Sequence, residues 1–405
     1  MESFLKKYMK GDPIIWMVFV LLCLFSVVEM YSASSTLAYK ASSYTAPVLR
    51  HVLFLLTGVA FVFGVQFLKL YQIRIFSYIG LLISFVLLIF VMFKGTSANE
   101  ATRWLSIGGF QFQPSEIAKI SVIIVAADLI SRIKNKKRDE WKYFGYIITI
   151  LIVVCPLILF ENFSTAFLLF FVVFVMLFVG NISLIKLTLL AATIFFVGFT
   201  AFGTIKAVPK ESMPKMFDRA YTWVGRIERH FNESKSKTAK YEINDENLQV
   251  QHGKIAIARG GVFGVFPGNS VERDFLPQAY SDFIYAIILE ETGLIGGVFV
   301  ILLFLILLFR AGRLATKSST VFPAVLVIGL SLLLVIQAFI NMAVAASLIP
   351  VTGQPLPMIS RGGTSIIVTC IYFGIILAIT RQLKEEQLKS GQNTANIPQV
   401  NLEEL

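Results

Sequence analysis

The chain has 405 residues, 56% of them apolar, and its 36 Lys and Arg against 25 Asp and Glu give a formal charge of +11. Repeated apolar stretches long enough to cross a bilayer set the class as an all-α polytopic membrane protein and exclude a soluble domain. Much of the basic excess sits in short links between those stretches, where the positive-inside rule expects it, so the charge is no nucleic-acid footprint.

The first apolar run, Ile14–Tyr31, follows Lys6, Lys7 and Lys10. It is longer than the apolar region of a signal peptide, so it reads as a retained first helix. Ten spans are expected, at 14–32, 50–67, 75–93, 115–132, 143–160, 164–180, 183–204, 280–310, 321–348 and 362–381. Cys23, Cys155 and Cys370 all lie inside these runs, with neither disulfide nor metal spacing.

Charge tests the count. Lys6, Lys7 and Lys10, then Lys69 and Arg74, then "SRIKNKKRDEWK", then Arg310, Arg313 and Lys317, then Arg381 and Lys384 all fall on one side if the spans number ten. Both termini are then cytoplasmic. Residues 1–384 form one membrane domain, and the polar stretch 385–405 reads as a disordered cytoplasmic tail. Residues 205–279 form a large loop on the outer face. Its middle, "ERHFNESKSKTAKYEINDEN", reads as mobile, while "IAIARGGVFGVFPGNS" is apolar, glycine-rich and suited to lie against or re-enter the membrane. No internal repeat is visible, which disfavours an inverted-repeat transporter.

Four stretches near the outer face carry chemistry. In "TRWLSIGGFQFQPSEIAKI", 102–120, Pro114 and Ser115 open a helix on which Glu116 and Lys119 share a face. That pair is either a structural ion pair or, with Arg103, a source of positive charge for a phosphate. In "ENFSTA", 161–166, a cap at Ser164 accounts for the small polar residues, and Glu161 is left as a candidate. "GGVFGVFPGNSVERDFLPQAYSDF", 260–283, lacks the ending and the strand of a nucleotide loop and delivers Asp282 to the first turn of the eighth helix. "NMAVAASLIPVTGQPLPMISRGGTS", 341–365, is too rich in Pro and Gly for regular helix and reads as irregular backbone lining a protein-walled cavity, with Arg361 as its cation.

Glu290 lies about 12 Å along the helix from Asp282 at ~1.5 Å per residue, and turned away from it, so Glu290 and Glu291 read as packing or partner contacts rather than a catalytic dyad. His51, His230 and His252 are too scattered for a metal triad, and His252 reads as facing solvent. These residues describe a cavity open to the outer leaflet that handles an anionic, lipid-linked substrate. On the residues alone, an enzyme and a lipid transporter both remain open.

Three of these stretches carry a more specific likeness. "RW…FQPSEIAK" at 103–119, "GNS…LPQAYSDFIYAIILEETGLIG" at 268–296 and "NMAVAASLIPVTGQPLPMISRGGTS" at 341–365 occur in order on the expected spans. Together the chain resembles the SEDS family of peptidoglycan polymerases, which includes FtsW, RodA and SpoVE, over nearly its whole length. "GNS" and the general pattern look more like the divisome member FtsW than like RodA. There are departures. "ENFST" replaces the family's frequent Pro-Asp-x-Gly pattern, Gln278 replaces a Glu, Phe266 and Pro267 interrupt a Gly-x-Gly, and Arg361 replaces an aromatic residue. None touches Asp282, which aligns with the family's essential aspartate.

The resemblance implies polymerisation of lipid II into β-1,4 glycan strands during cell division, at the exterior face of the bacterial cytoplasmic membrane. Asp282 is then the base that takes the acceptor hydroxyl proton. Arg103, Lys119 and Arg361 are candidates to hold the departing pyrophosphate, with Glu116 and Glu161 beside them. A divalent cation, Mg or Mn, is a further candidate for that charge, with Asp282 or Glu161 as its ligands. The implied partners are a class B penicillin-binding protein transpeptidase and other divisome proteins. The alternatives are a RodA-like elongation polymerase, a lipid II flippase and a scaffold that recruits a transpeptidase.

Overall fold

Among the described residues most are helical, as expected for a backbone that must satisfy its own polar groups in lipid. The computed structural model describes residues 9–33, 45–94, 96–98, 101–107, 110–135, 139–208, 218–235, 247–276 and 280–395. Helices α1 (Pro13–Ala33), α2 (Thr45–Val65) and α3 (Leu70–Lys94) lead into strands β1 (Thr96–Ala98), β2 (Ala101–Ile107) and β3 (Phe110–Phe112). Helices α4 (Pro114–Asn135), α5 (Glu140–Glu161), α6 (Phe163–Val179) and α7 (Leu184–Ala207) follow. Three shorter helices come next, α8 (Asp218–Lys235), α9 (Leu248–Gly260) and α10 (Glu272–Phe275). The chain then runs through α11 (Ile284–Thr316), α12 (Val321–Ala345) and α13 (Thr364–Ala395).

Among the described residues, eight helices, α1, α2, α3, α5, α7, α11, α12 and α13, are long and apolar enough to cross a membrane. The other two expected spans are α4 and α6. Helix α6 is apolar but has only 17 residues. Helix α4 carries Glu116, Lys119, Asp128, Arg132 and Lys134. Protein rather than lipid surrounds most of it: Ala118, Val122, Ile123, Val125, Ala127 and Ile130 are all fully or almost fully buried. Helix α12 is its counterpart, with Leu326, Val327, Leu330, Leu333, Leu334 and Ala338 in the same core. A helix enclosed by other helices can carry paired charges that a lipid-facing helix could not.

One end of the bundle gathers the basic links. Arg310 bonds Asp12 through Nε at 2.9 Å. Lys384 donates to the Gly11 carbonyl at 2.6 Å. Arg381 reaches the carbonyls of Phe67 and Leu68. Arg74 and Arg132 share Asp128, at 2.9 and 2.8 Å, and Arg74 also covers the Phe322 ring at 4.3 Å.

The structure departs from the sequence reading in four places. Between the expected spans 75–93 and 115–132, where no regular element is expected, the described residues of 96–112 form a small antiparallel meander in the order β1-β2-β3. Its register pairs Thr96 with Trp104 and Leu105 with Phe112. The stretch read as a mobile middle of the outer loop is partly helix α8, which ends at Lys235; residues 236–246 lie outside the described residues. Helix α13 continues past Glu385 to Ala395, in part because Arg381 pairs with Glu385 one turn on, at 3.4 Å.

The fourth departure is a break in α11. Gly293 has φ 67° and ψ −169°, so the helix is interrupted there. The glycine-rich segment after α9 fits into the gap. Leu294 N–H donates to the Gly261 carbonyl at 3.0 Å and Ile295 N–H to the Val262 carbonyl at 3.3 Å. In return Val265 N–H donates to the Glu290 carbonyl and Phe266 N–H to the Glu291 carbonyl, at 3.0 and 2.8 Å. The groups that the break would orphan are thus satisfied. A Cβ on Gly293 would lie 2.3 Å from the Val262 carbonyl oxygen, so no other residue fits.

Candidate active site

All four chemistry-bearing stretches meet at the end of the bundle opposite the basic links. Their hub is the irregular segment between α12 and α13. It has no regular helix from Ser347 to Gly363, as its prolines and glycines predict. It is nevertheless enclosed: Gln354, Leu356, Met358, Ile359 and Ser360 are buried. Its polar backbone must therefore be paired by side chains from other elements.

Asp282 stands at this hub. It lies in the turn before α11, whose N-cap is Phe283, so it precedes the helix rather than occupying its first turn as expected. Ser281 Oγ donates to its Oδ1 at 3.0 Å. The main chain around it is held at three successive carbonyls. Arg361 N–H donates to Tyr280 O at 2.9 Å. Ser360 Oγ donates to Ser281 O at 2.7 Å. Asn341 Nδ2 donates to Asp282 O at 3.0 Å. Three donors on consecutive peptides fix the turn in position and orientation, and Asp282 itself is half-buried.

The structure brings Arg361 to this turn. Its guanidinium lies 5.1 Å from the centroid of the Tyr280 ring, in cation–π range. Lys119 is placed differently. It is wholly buried, pairs with Glu116 at 2.8 Å and donates to Gln337 Oε1 at 3.2 Å. Gln337 Nε2 then donates to the Pro355 carbonyl at 3.0 Å. Lys119 and Glu116 thus act on the hub from beneath. Arg103 lies on β2, and its side chain is outside the described residues, as is Gln278. The neighbouring strand reaches the hub, since Thr364 Oγ1 donates to the Gln111 carbonyl at 3.2 Å.

The stretch 161–166 joins through Thr165, whose Oγ1 accepts from Gln354 Nε2 at 2.6 Å. The cap of α6 is Asn162, not Ser164: Asn162 Oδ1 accepts from Ser164 N–H at 3.0 Å. Glu161 is buried at the end of α5. Helix α8 closes the same side, with Arg226 donating to Val351 O at 3.0 Å and Trp223 packed on Phe163, ring centroids 4.8 Å apart.

The other charges at this end of the bundle pair within the structure. Glu290 and Glu291 are fully buried, which excludes a role on a partner-facing surface. Glu290 accepts from Ser270 Oγ at 2.5 Å and from Val271 N–H at 3.1 Å. Glu291 takes the Ser32 hydroxyl and lies 3.8 Å from Arg273 Nη1. His252 does not face solvent freely: its Nδ1 meets Glu272 at 2.6 Å and its ring stacks on Phe275. Among the described residues, no group of three or more His, Cys, Asp or Glu could hold a metal ion.

Sequence reasoning did not single out Gln337, Asn341, Gln354 or Ser360. A signal was present: Gln337 and Asn341 are four apart on an otherwise apolar helix, so they share a face. Polar side chains so placed in a buried helix need partners.

The profile of the FtsW/RodA/SpoVE family, described as "Cell cycle protein", matches residues 12–385. Among curated proteins, the chain is similar to the "Probable peptidoglycan glycosyltransferase FtsW" of Saccharophagus degradans, at 32% identity over 90% of this chain and 91% of that one. The protein of the same name from Hahella chejuensis is 34% identical over 82% of this chain and 80% of its own. Among solved structures, the fold is similar to a chain in "Structural coordination of polymerization and crosslinking by a peptidoglycan synthase complex". That likeness has TM-score 0.71 and 21% identity, over 92% of this chain and 98% of the other. It is also similar to the Thermus thermophilus rod shape determining protein RodA, with TM-score 0.63 and 21% identity over 92% of this chain and 97% of that one.

Proposed function

The chain belongs to the FtsW/RodA/SpoVE family of cell cycle proteins, and we propose that it polymerises lipid II with Asp282 as its general base. It is a peptidoglycan glycosyltransferase and a multi-pass membrane protein. The observation that carries the assignment of Asp282 is the grip on its turn, where Arg361 and Ser360 of the hub and Asn341 of α12 hold the carbonyls of Tyr280, Ser281 and Asp282. Such bracing is what a catalytic group needs to meet its substrate in a fixed geometry.

The reaction joins the 4-hydroxyl of the acceptor sugar to the anomeric carbon of the growing strand and releases undecaprenyl pyrophosphate. The Asp282 carboxylate takes the hydroxyl proton as the new glycosidic bond forms. Arg361, held at the same turn by its own N–H and by the Tyr280 ring, offers positive charge to the departing pyrophosphate. Arg103 on β2 is a second candidate for that contact. Lys119 and Glu116 support the hub from within the bundle, and Glu161 lies at its edge. The lipid-facing helices accept the undecaprenyl chains.

On the reading of ten spans with both termini cytoplasmic, the site faces the exterior of the bacterial cytoplasmic membrane. The gathering of basic links at the opposite end of the bundle supports this orientation. Work at the division septum follows the name shared by the FtsW relatives. A penicillin-binding transpeptidase is the expected partner, with other divisome proteins around it. A flippase would need a polar route between the two ends. The core between them is filled by Leu326, Val327, Leu330, Leu333 and Leu334 of α12, all buried, which favours the polymerase. The test is glycan formation from labelled lipid II by the purified chain with and without its cognate transpeptidase, beside a lipid II translocation assay in liposomes. Translocation without polymerisation would refute this reading.

A further inference from the structure

Asn341 occupies the branch point of the hub. It sits on the last turns of α12 and is completely buried. Its single amide nitrogen uses both hydrogens, one on the Asp282 carbonyl at 3.0 Å and one on the Gln354 carbonyl at 2.8 Å. Its Oδ1 has no hydrogen-bond partner among the described residues. A buried amide with an unmet acceptor is unfavourable unless its donors are needed. Both donors end on main-chain oxygens of segments that no regular ladder connects. Among the side chains of α12, the only other described hydrogen bond to the hub runs from Gln337, one turn earlier, to Pro355 O.

We propose that Asn341 is a positioning residue for polymerisation, acting by fixing the Asp282 peptide against the 354–361 segment that carries Arg361. The proposal rests on the reading of Asp282 as the base. Only a side chain with two hydrogens on one planar nitrogen bridges two carbonyls in this way. An aspartate of the same shape would face both carbonyls with lone pairs, and a leucine would leave both unmet. Releasing the bridge lets the 280–283 turn and the Arg361 segment shift against each other, so base and cation lose their relative alignment. Ser360 braces the neighbouring peptide in the same direction: its Oγ accepts from Leu356 N–H and donates to Ser281 O, both at 2.7 Å.

The experiment measures polymerisation of labelled lipid II by the purified chain bound to its transpeptidase. The variants are Asn341→Ala, Asn341→Ser, Ser360→Ala and Asp282→Asn, each normalised to folded protein. Folded Asn341→Ala is expected to lose about tenfold to a hundredfold in kcat, the scale of a small misalignment. KM for lipid II stays within about twofold, because binding groups are untouched. Asn341→Ser and Ser360→Ala lose kcat in the same manner but less, and they carry the test if Asn341→Ala fails to fold. Wild-type kcat in the folded variants, or a loss confined to KM, overturns the positioning role while an inactive Asp282→Asn leaves the base assignment standing. An Asp282→Asn protein that polymerises at the wild-type rate sinks the base assignment and the positioning role together.

Discussion

The main-chain N–H of Arg361 donates to the Tyr280 carbonyl at 2.9 Å, and its guanidinium rests 5.1 Å from the centroid of the same tyrosine's ring. One residue thus pins the approach to Asp282 with its backbone and places a cation there with its side chain. The backbone bond survives any substitution except proline, so the two roles can be separated.

Arg361→Ala is expected to keep the turn and lose the cation, lowering kcat for lipid II polymerisation by about 10²-fold, the scale seen when one stabilising donor is removed. Arg361→Lys keeps a charge but loses the planar stack on Tyr280, so it recovers only part of the rate. Steady-state kinetics of the purified complex check both, and a fully active Arg361→Ala would remove Arg361 from the mechanism.

Asp282→Asn and Asp282→Ala are expected to insert and fold as the parent does and to make no detectable glycan. General-base loss alone accounts for about 10²–10⁴-fold. Gel analysis of labelled product settles it, and glycan made at the parent rate would show that another group takes the proton.

Lys119→Met leaves Glu116 as an unpaired carboxylate in the bundle. The expected loss is about 3–5 kcal/mol, read as a lowered melting temperature in detergent. The double variant Glu116→Gln with Lys119→Met removes both charges and recovers most of that stability. Because Lys119 is wholly buried beneath the hub, polymerisation is expected to recover with it. A stable double variant with no activity would instead put Lys119 in contact with the pyrophosphate.

Gly293→Ala forces a side chain into a left-handed position against the Val262 carbonyl. The backbone strain alone is about 1–3 kcal/mol, and the close contact adds to it. The chain is expected to melt earlier, with faster proteolysis between α9 and α10 as the 261–266 segment leaves the break in α11. Unchanged melting and an unchanged digestion pattern would mean that the break is not needed for stability.

Much of this protein was legible from its sequence for a local reason. Lipid forces each crossing segment to satisfy its own backbone, so apolar runs and basic links can be read one stretch at a time. Eight of the ten expected spans correspond to helices long and apolar enough to cross. The irregular segment before α13 was equally plain, since prolines and glycines break helices wherever they lie. The same local reading singled out Asp282, which lies in the turn before α11.

The pairing of buried polar groups was decided only by the tertiary structure. Gln354 finds Thr165 across 189 positions, and Lys119 finds Gln337 across 218. No local pattern encodes such partners. The sequence showed that Glu116 and Lys119 could pair, but not that Gln337 carries their influence to Pro355. Gly293 lies within the single expected span 280–310, and the break there became visible only with the 261–266 segment seated in it. Glu290 and Glu291 lost their candidacy as partner contacts for the same reason: burial is a property of the packed bundle. Sequence supplied the charged and polar groups, and packing decided which of them pair inside the scaffold.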